Sequence, residues 1–426
     1  YKELDYFQLA ETLDIVSFDY YPRWSANVDL VASAMAHDVM RSLKKKPYWI
    51  MELQSGAVKS HTAPVPKLGE VRLWTIQSVA RGADGTLYFR WRTCRFGAEE
   101  YWHGILDHDG IPRRRYFEVK KVSEELRKVA PYIEGTFVKP EVAITLVYDN
   151  LWALDLEVGY ADPFGKERNY YGVHPWEPTL DCYGALYARN ILVDFVNPAA
   201  EEIRNYKAVF VPSLMLLSEK IGENLKSYVK GGGTIIATPR TGAKNWNNKI
   251  VDEPLPGSLS NVFGITIEEY TGLPDGETVR IETVEMSGQN ISNGRNWAEM
   301  LSPKEAKVAA YYKTGIYKEK PAVTVNIFGK GAAMYVGTFA DREFYLTLAD
   351  WLMKKNKIES VLPPADGFEA TERSNPNHEI IFALNHNDYA VQVPCNGREF
   401  QDLISGEKVK GILKIEGRDA KILEKD

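Results

Sequence analysis

The sequence predicts an α/β protein that closes on a small antiparallel β domain. Three observations predict it. Short apolar runs at 14–22, 48–52 and 86–91 alternate with amphipathic stretches at helical spacing, the order of βαβ units on a parallel sheet. A second set of apolar runs, at 142–148, 209–212 and 234–238, follows a change in composition between Pro131 and Pro140. From about Gly367 the apolar spacing shortens to the alternation of a half-buried strand.

Leu4, Phe7, Ala10 and Leu13 place a helix in 3–13. Asp14 to Pro22 runs as a short strand into a turn. Val31, Met35, Val39 and Leu43 recur at steps of four, which predicts a helix over 28–43. Tyr48 to Glu52 reads as a buried strand that ends in a carboxylate and is stopped by Gln54, Ser55 and Gly56. A helix over 68–81 stops at Gly82, and Thr86 to Trp91 forms the third strand. In Gly97-Ala-Glu-Glu-Tyr-Trp-His-Gly104, Glu100 and His103 stand three apart, one turn of helix. A charged helix over 116–129 is amphipathic through Val119, Val122, Leu126 and Val129.

Beyond the linker at 131–140, the strand at 142–148, a helix at 179–190, and strands at 209–212 and 234–238 around a helix at 217–230 describe a doubly wound unit of flavodoxin or amidotransferase type. Gly231, Gly232 and Gly233 follow a helix and precede a strand, the reverse of a phosphate loop. No Cys or Ser is recognisable at a strand–turn–helix elbow, and Cys182 lies in a helical stretch, so this unit is expected to be non-catalytic. Strands fill 275–340, including 322–328 and 333–336, and a helix follows at 342–354. Strands at 379–384 and 389–393 begin the closing β domain. The expected domains are 1–130, 138–355 and 362–426.

Composition excludes several classes. The 426 residues are 44% hydrophobic and 26% charged, ordinary for a globular protein, and the net charge of −6 argues against a nucleic-acid partner. No apolar stretch approaches the roughly 18 residues of a membrane helix. The three cysteines are far apart, with no CxxC pair, which fits a reducing compartment, the cytoplasm, better than a disulfide framework or a zinc site. The 10 Trp and 24 Tyr suit either sugar-ring platforms or core packing.

A carboxylate at the C-terminal end of a buried parallel strand sits where barrel enzymes build their active sites; a solvated acid at a strand end is the plain alternative. The blocks around Glu52 decide between them. Ile15-Val-Ser-Phe-Asp-Tyr-Tyr-Pro22, Met51-Glu52, Gly69 to Asp84, Leu87-Tyr-Phe-Arg-Trp-Arg92 and Gly97 to Gly104 occur in order. Leu186-Tyr-Ala-Arg-Asn190, Thr238-Pro-Arg-Thr-Gly242 and Asp252-Glu-Pro-Leu-Pro-Gly257 follow. Together they resemble glycoside hydrolase family 42, β-galactosidases with a TIM-barrel catalytic domain, over essentially the whole chain.

The resemblance implies that the strands near 15–19, 48–52 and 86–91 are strands six, seven and eight of the (β/α)8 barrel. It implies Glu52 as the nucleophile of a retaining mechanism, with Arg90 and Arg92 as sources of positive charge beside it. Tyr21 would contact Glu52 and galactose, and Glu100 and His103 would bind sugar hydroxyls. Glu99 competes with Glu100 for that role, and His103 without the family reads as structural. Trp102 and Trp91 are ring platforms, with core packing the alternative for Trp91. The family's Trp eight residues after the nucleophile is replaced by Ser60, beside His61. Its acid/base, in an Asn-Glu pair on strand four, has no counterpart here. The zinc-binding Cys cluster of some members would also lie upstream, so no metal or other cofactor is expected. The implied whole is the C-terminal part of a β-galactosidase acting on galactosides, a homotrimer through its doubly wound domain, with the N-terminal half of the barrel supplied in cis or in trans. The alternative is a non-catalytic scaffold or sugar-binding subunit.

Overall fold

The computed structural model describes residues 3–23, 27–58, 64–157, 174–274, 276–284, 286 and 291–425. Contacts divide the chain into two compact units. One comprises residues 6–139, 187–192 and 360–426, and the other residues 1–5, 140–186 and 193–359.

The first unit opens with α1 (Tyr6–Glu11), β1 (Ser17–Tyr20), α2 (Leu30–Lys44), β2 (Tyr48–Gln54), α3 (Glu70–Ala80), β3 (Ala83–Phe89) and α4 (Arg114–Ile133). The strands pair in parallel in the order β1-β2-β3. Asp29 caps α2 by accepting from the Ala32 N–H. Val16, Tyr20, Tyr48, Ile50 and Leu53 pack against Val71 and Trp74 of α3 in one core. Strict alternation would place Tyr48 and Ile50 on one face of β2 and Leu53 on the other. The register explains the exception: Phe18 pairs Ile50, Asp19 pairs Glu52 and Tyr20 pairs Leu53, so β2 carries one extra residue at this point. The bulge swaps the faces of β2 and turns Glu52 away from the helices.

The second unit begins with β4 (Val142–Thr145), α5 (Tyr148–Leu156), α6 (Glu177–Tyr187, which ends at the junction), β5 (Val193–Val196), β6 (Ala208–Val211), β7 (Leu216–Leu217), α7 (Glu219–Gly231), β8 (Thr234–Ala237) and β9 (Lys244–Asn245). It continues with α8 (Ser260–Phe263), β10 (Ile265–Gly272), β11 (Thr278–Thr283), β12 (Ile291–Pro303), β13 (Lys307–Tyr312), β14 (Pro321–Phe328), β15 (Gly331–Val336), β16 (Thr338–Ala340) and α9 (Arg342–Asn356). Five strands are parallel in the spatial order β5-β4-β6-β8-β15, the doubly wound order in which the second strand precedes the first. From β15 the same sheet continues antiparallel through β14, β13, β11, β12 and β10. The strand expected over 142–148 stops at Thr145, and Tyr148 opens α5 with Asp149 in its first turn. One serine does follow a strand of this sheet, but strand β7 and not a helix comes next, so it makes no strand–turn–helix elbow. Ser213 follows β6 with φ +42°, fully buried. Its Oγ lies 3.3 Å from the Thr238 hydroxyl, and no histidine or acid is among its partners in the described residues, so no base activates it.

Glu299 on β12 is a buried acid of this sheet. Its Oε1 accepts from the Arg240 N–H at 2.9 Å and the Trp297 indole N–H at 3.0 Å, and Oε2 accepts from the Tyr335 hydroxyl at 2.9 Å. Burial outweighs these donors and pushes its carboxyl up to about 7. The folded state therefore holds a proton that the unfolded chain releases near pH 4.5, so stability is present below that pH and lost as pH rises through about 7. In Glu299→Gln that loss should vanish. The drop in unfolding free energy between pH 5 and pH 8 should shrink by on the order of 2 kcal/mol, measured by denaturant titration at both pH values.

The chain returns to the first unit for β17 (Phe368–Ser374), β18 (Glu379–Asn385), β19 (Val391–Asp402), β20 (Lys408–Ile415) and β21 (Asp419–Lys425), an antiparallel sheet in the order β17-β18-β21-β19-β20. Both faces of β18 are covered. Ile380, Phe382 and Leu384 meet Leu73, Ile76 and Ala80 of α3 and Val122 and Val129 of α4. Ile381 and Ala383 face Val393, Phe400 and Leu413. Helix α3 is thereby enclosed between two sheets, which is why its polar residues Arg72, Gln77 and Ser78 are buried.

Candidate active site

Glu52 stands half-buried near the carboxyl end of β2. Tyr21, in the first loop position after β1, donates its hydroxyl to Glu52 Oε2 at 2.6 Å. The contact follows from local structure. Tyr20 buries its ring in the core on the helix side of β1, so the next residue turns to the opposite face, where the bulge has placed Glu52. Burial and the Glu52 contact push the Tyr21 phenol well above its ordinary range, so it remains a donor. Asp19 pairs with Glu52 across the two strands, and burial together with the Glu52 charge raises its carboxyl above the usual carboxylate range.

Two further rings pack against Tyr21. Tyr21 meets Trp102 and Phe89 edge-on, each with centroids at 6.2 Å, and Phe89 meets Trp102 at 5.9 Å. The loop carrying Trp102 is pinned to the residues just after β2. Ser55 Oγ donates to Phe89 O at 2.6 Å and lies 3.2 Å from His103 O, and the His103 N–H donates to Ala57 O at 2.8 Å. Gly56 permits the approach, since a β-carbon there would lie 2.5 Å from His103 Cβ.

The expected residues separate into two groups. Described contacts bring Glu52, Tyr21 and Trp102 together, and His103 is tied to the same loop through its backbone. Its ring Nδ1 is buried with no hydrogen-bond partner among the described residues, and burial and the Arg115 charge lower its basicity. Residues 97–102 form successive turns, with Glu100 N–H to Gly97 O and Trp102 N–H to Glu99 O, in place of the helical turn expected there. No described hydrogen bond joins the Glu100 carboxylate to Glu52; its carbonyl accepts from His108 Nε2 at 2.7 Å. No described contact joins Arg90 or Arg92 to Glu52. Arg90 pairs with Glu99 at 3.4 Å and covers the Phe89 ring, and Arg92 donates to His108 O. Trp91 is not core either, being 63% exposed with its ring beside Tyr116. Ser60 and His61 lie outside the described residues. Sequence reasoning missed Asp19 and Phe89, although both lie in the blocks it singled out. Among the described residues, no group of His, Cys, Asp and Glu is spaced to hold a metal, and no helix is long and apolar enough to cross a membrane.

Comparison with known proteins identifies the family. A β-galactosidase family model matches residues 1–129, the β-galactosidase trimerisation domain matches 140–359, and the β-galactosidase C-terminal domain matches 367–425. β-Galactosidase BgaB of Geobacillus sp. (strain Y412MC61) is 34% identical over 99% of this chain and 61% of its own length. β-Galactosidase LacZ of Heyndrickxia coagulans is 32% identical over 100% of this chain and 62% of its own. The crystal structure of β-galactosidase from Bacillus circulans sp. alkalophilus matches with a TM-score of 0.93 at 30% identity, covering 100% of this chain and 62% of that one. The chain thus spans about 61% of the length of the curated relatives it matches. It belongs to glycoside hydrolase family 42.

Proposed function

We propose that this chain is the nucleophile-bearing part of a retaining β-galactosidase. The hydrogen bond from Tyr21 to Glu52, at the carboxyl end of a parallel strand, carries the reading. A Glu52 oxygen bonds to the anomeric carbon of a terminal β-galactoside as the bond to the leaving oxygen breaks, and that oxygen takes a proton from an acid/base carboxyl. Water, deprotonated by the same carboxylate, then cleaves the galactosyl–Glu52 intermediate with net retention. Tyr21 orients Glu52, and Trp102 with Phe89 forms an aromatic wall for the sugar. Glu100 and His103 take hydroxyls, with Glu99 the rival of Glu100.

Strands β1 to β3 are read as strands six to eight of a (β/α)8 barrel within a catalytic domain at 1–130. Trp49, Met51 and Leu87 are 38%, 43% and 44% exposed on this small sheet, which supports further strands covering them. Those strands and the acid/base belong to an N-terminal barrel half supplied in cis or in trans. A doubly wound domain at 138–355 would assemble a homotrimer, a small β domain at 362–426 would close the chain, and the enzyme would work in the cytoplasm. The test is to inactivate the complete enzyme with a 2-deoxy-2-fluorogalactoside bearing a good leaving group and to map the adduct by peptide mass spectrometry. Covalent label on Glu52 is expected. Label on another residue, or turnover with no label, would sink the reading.

A further inference from the structure

We propose that Glu369, in the small β domain, is a positioning residue for the Tyr21–Glu52 pair, acting through Gln77 and Tyr20. The inference rests on Glu52 being the nucleophile. Glu369 lies on β17 and is 1% exposed. Its Oε2 accepts from Gln77 Nε2 on α3 at 2.8 Å, and Gln77 Oε1 accepts from the Tyr20 hydroxyl at 2.7 Å. Both ends of the Gln77 amide are thus specified, oxygen toward the tyrosine and nitrogen toward the carboxylate. Tyr20 ends β1, and Tyr21, the next residue, holds Glu52. An unbroken path of side chains and one peptide therefore runs from the β domain to the carboxylate.

Glu369 is itself immobilised from several sides. Arg81 Nε donates to its Oε1 at 2.8 Å, His386 Nε2 donates to Oε2 at 2.9 Å, and the Tyr187 hydroxyl donates to Oε2 at 3.2 Å. Arg81 also pairs with Asp38, which pairs with Arg41 on the same helix. Burial alone would raise the Glu369 carboxyl, but the Arg81 charge and the His386 contact hold it down to about 2, so it is ionised throughout the working range. A buried ion network of this kind adds little net stability over an apolar core of equal volume. Its distinctive property is geometric, because each donor and acceptor has one satisfied arrangement. Three residues after Tyr20 the same loop is held separately, by the Arg23 N–H on Gln54 Oε1 at 2.9 Å and by Arg23 Nε on Glu70 at 2.8 Å. Tyr20 and Arg23 thus clamp the two residues between them, and Glu369 anchors the first clamp.

The experiment compares Tyr20→Phe and Glu369→Gln with wild type in the complete enzyme, using a p-nitrophenyl β-galactoside. Tyr20→Phe removes one hydroxyl and no charge, so it decides the matter if Glu369→Gln fails to fold. A fall in kcat of about 10-fold is expected in each, with KM within about twofold, because a small misplacement of a reacting group is felt in the chemical step. Wild-type kcat and KM in Tyr20→Phe, even with a lowered melting temperature, would overturn the proposal. Fluorogalactoside labelling of wild type separates the two claims: label on Glu52 with unaltered variants refutes the positioning role alone, while label elsewhere refutes the nucleophile reading beneath it.

Discussion

Glu52→Gln is expected to lower kcat for β-galactoside hydrolysis by the complete enzyme roughly 10⁴-fold, the scale of removing a covalent nucleophile. The amide cannot form the galactosyl ester, yet it has the size of the carboxylate and keeps an oxygen for the Tyr21 hydroxyl, which donates at 2.6 Å in the wild type. The fold and assembly state should therefore be unchanged, checked by light scattering and by the thermal melt. This separates loss of chemistry from loss of structure. Substantial residual turnover in a homogeneous preparation would remove Glu52 from its role and return attention to Asp19, the acid paired across from it. A protein that binds galactose and shows no turnover even in the wild type would instead support a non-catalytic sugar-binding subunit.

The largest expected stability effect lies far from the carboxylate. Arg373, on β17, is 1% exposed and uses all five of its N–H donors. Nε donates to Thr136 Oγ1 at 3.1 Å; the other nitrogens donate to Val79 O at 3.0 Å, Ala83 O at 3.2 Å, Thr136 O at 3.0 Å and Asp84 Oδ1 at 2.8 Å. Val79 O belongs to the last turn of α3, where the Gly82 N–H also donates to it at 3.0 Å. Ala83 O opens β3, so one guanidinium closes the helix-to-strand connection. Arg373→Met keeps the apolar stem and removes every one of these bonds. The expected cost is about 3–5 kcal/mol, the usual penalty for deleting one member of a buried charged network. The melting temperature should fall by roughly 10 °C. Arg373→Lys should recover little, since an ammonium has three donors and no planar fork. A melting temperature within about 2 °C of wild type for Arg373→Met would show that water replaces the guanidinium at these carbonyls.

Some of this was legible in the chain itself. The short apolar runs located β1, β2 and β3, because a buried strand needs only a few consecutive branched or aromatic residues, a local property. Glu52 stood out because a carboxylate ending such a run is conspicuous, and the ordered blocks around it assigned its role. Period-two spacing after Gly367 announced the antiparallel sheet for the same local reason. What the tertiary structure alone decided depends on residues distant in sequence. Alternation places Glu52 on the same face as Tyr48 and Ile50; the bulge that turns it toward Tyr21 exists only as a register against β1 and β3. Arg90 is an obvious counter-charge to Glu52 on paper, but the turns at 97–102 bring Glu99 to it instead. Nothing local marks Gln77, Arg81 and Arg373 as buried; their partners lie at sequence separations near 290 residues. Periodicity records which face of an element is apolar. It carries no record of which polar group will be walled in, because that depends on the element that arrives from elsewhere in the chain.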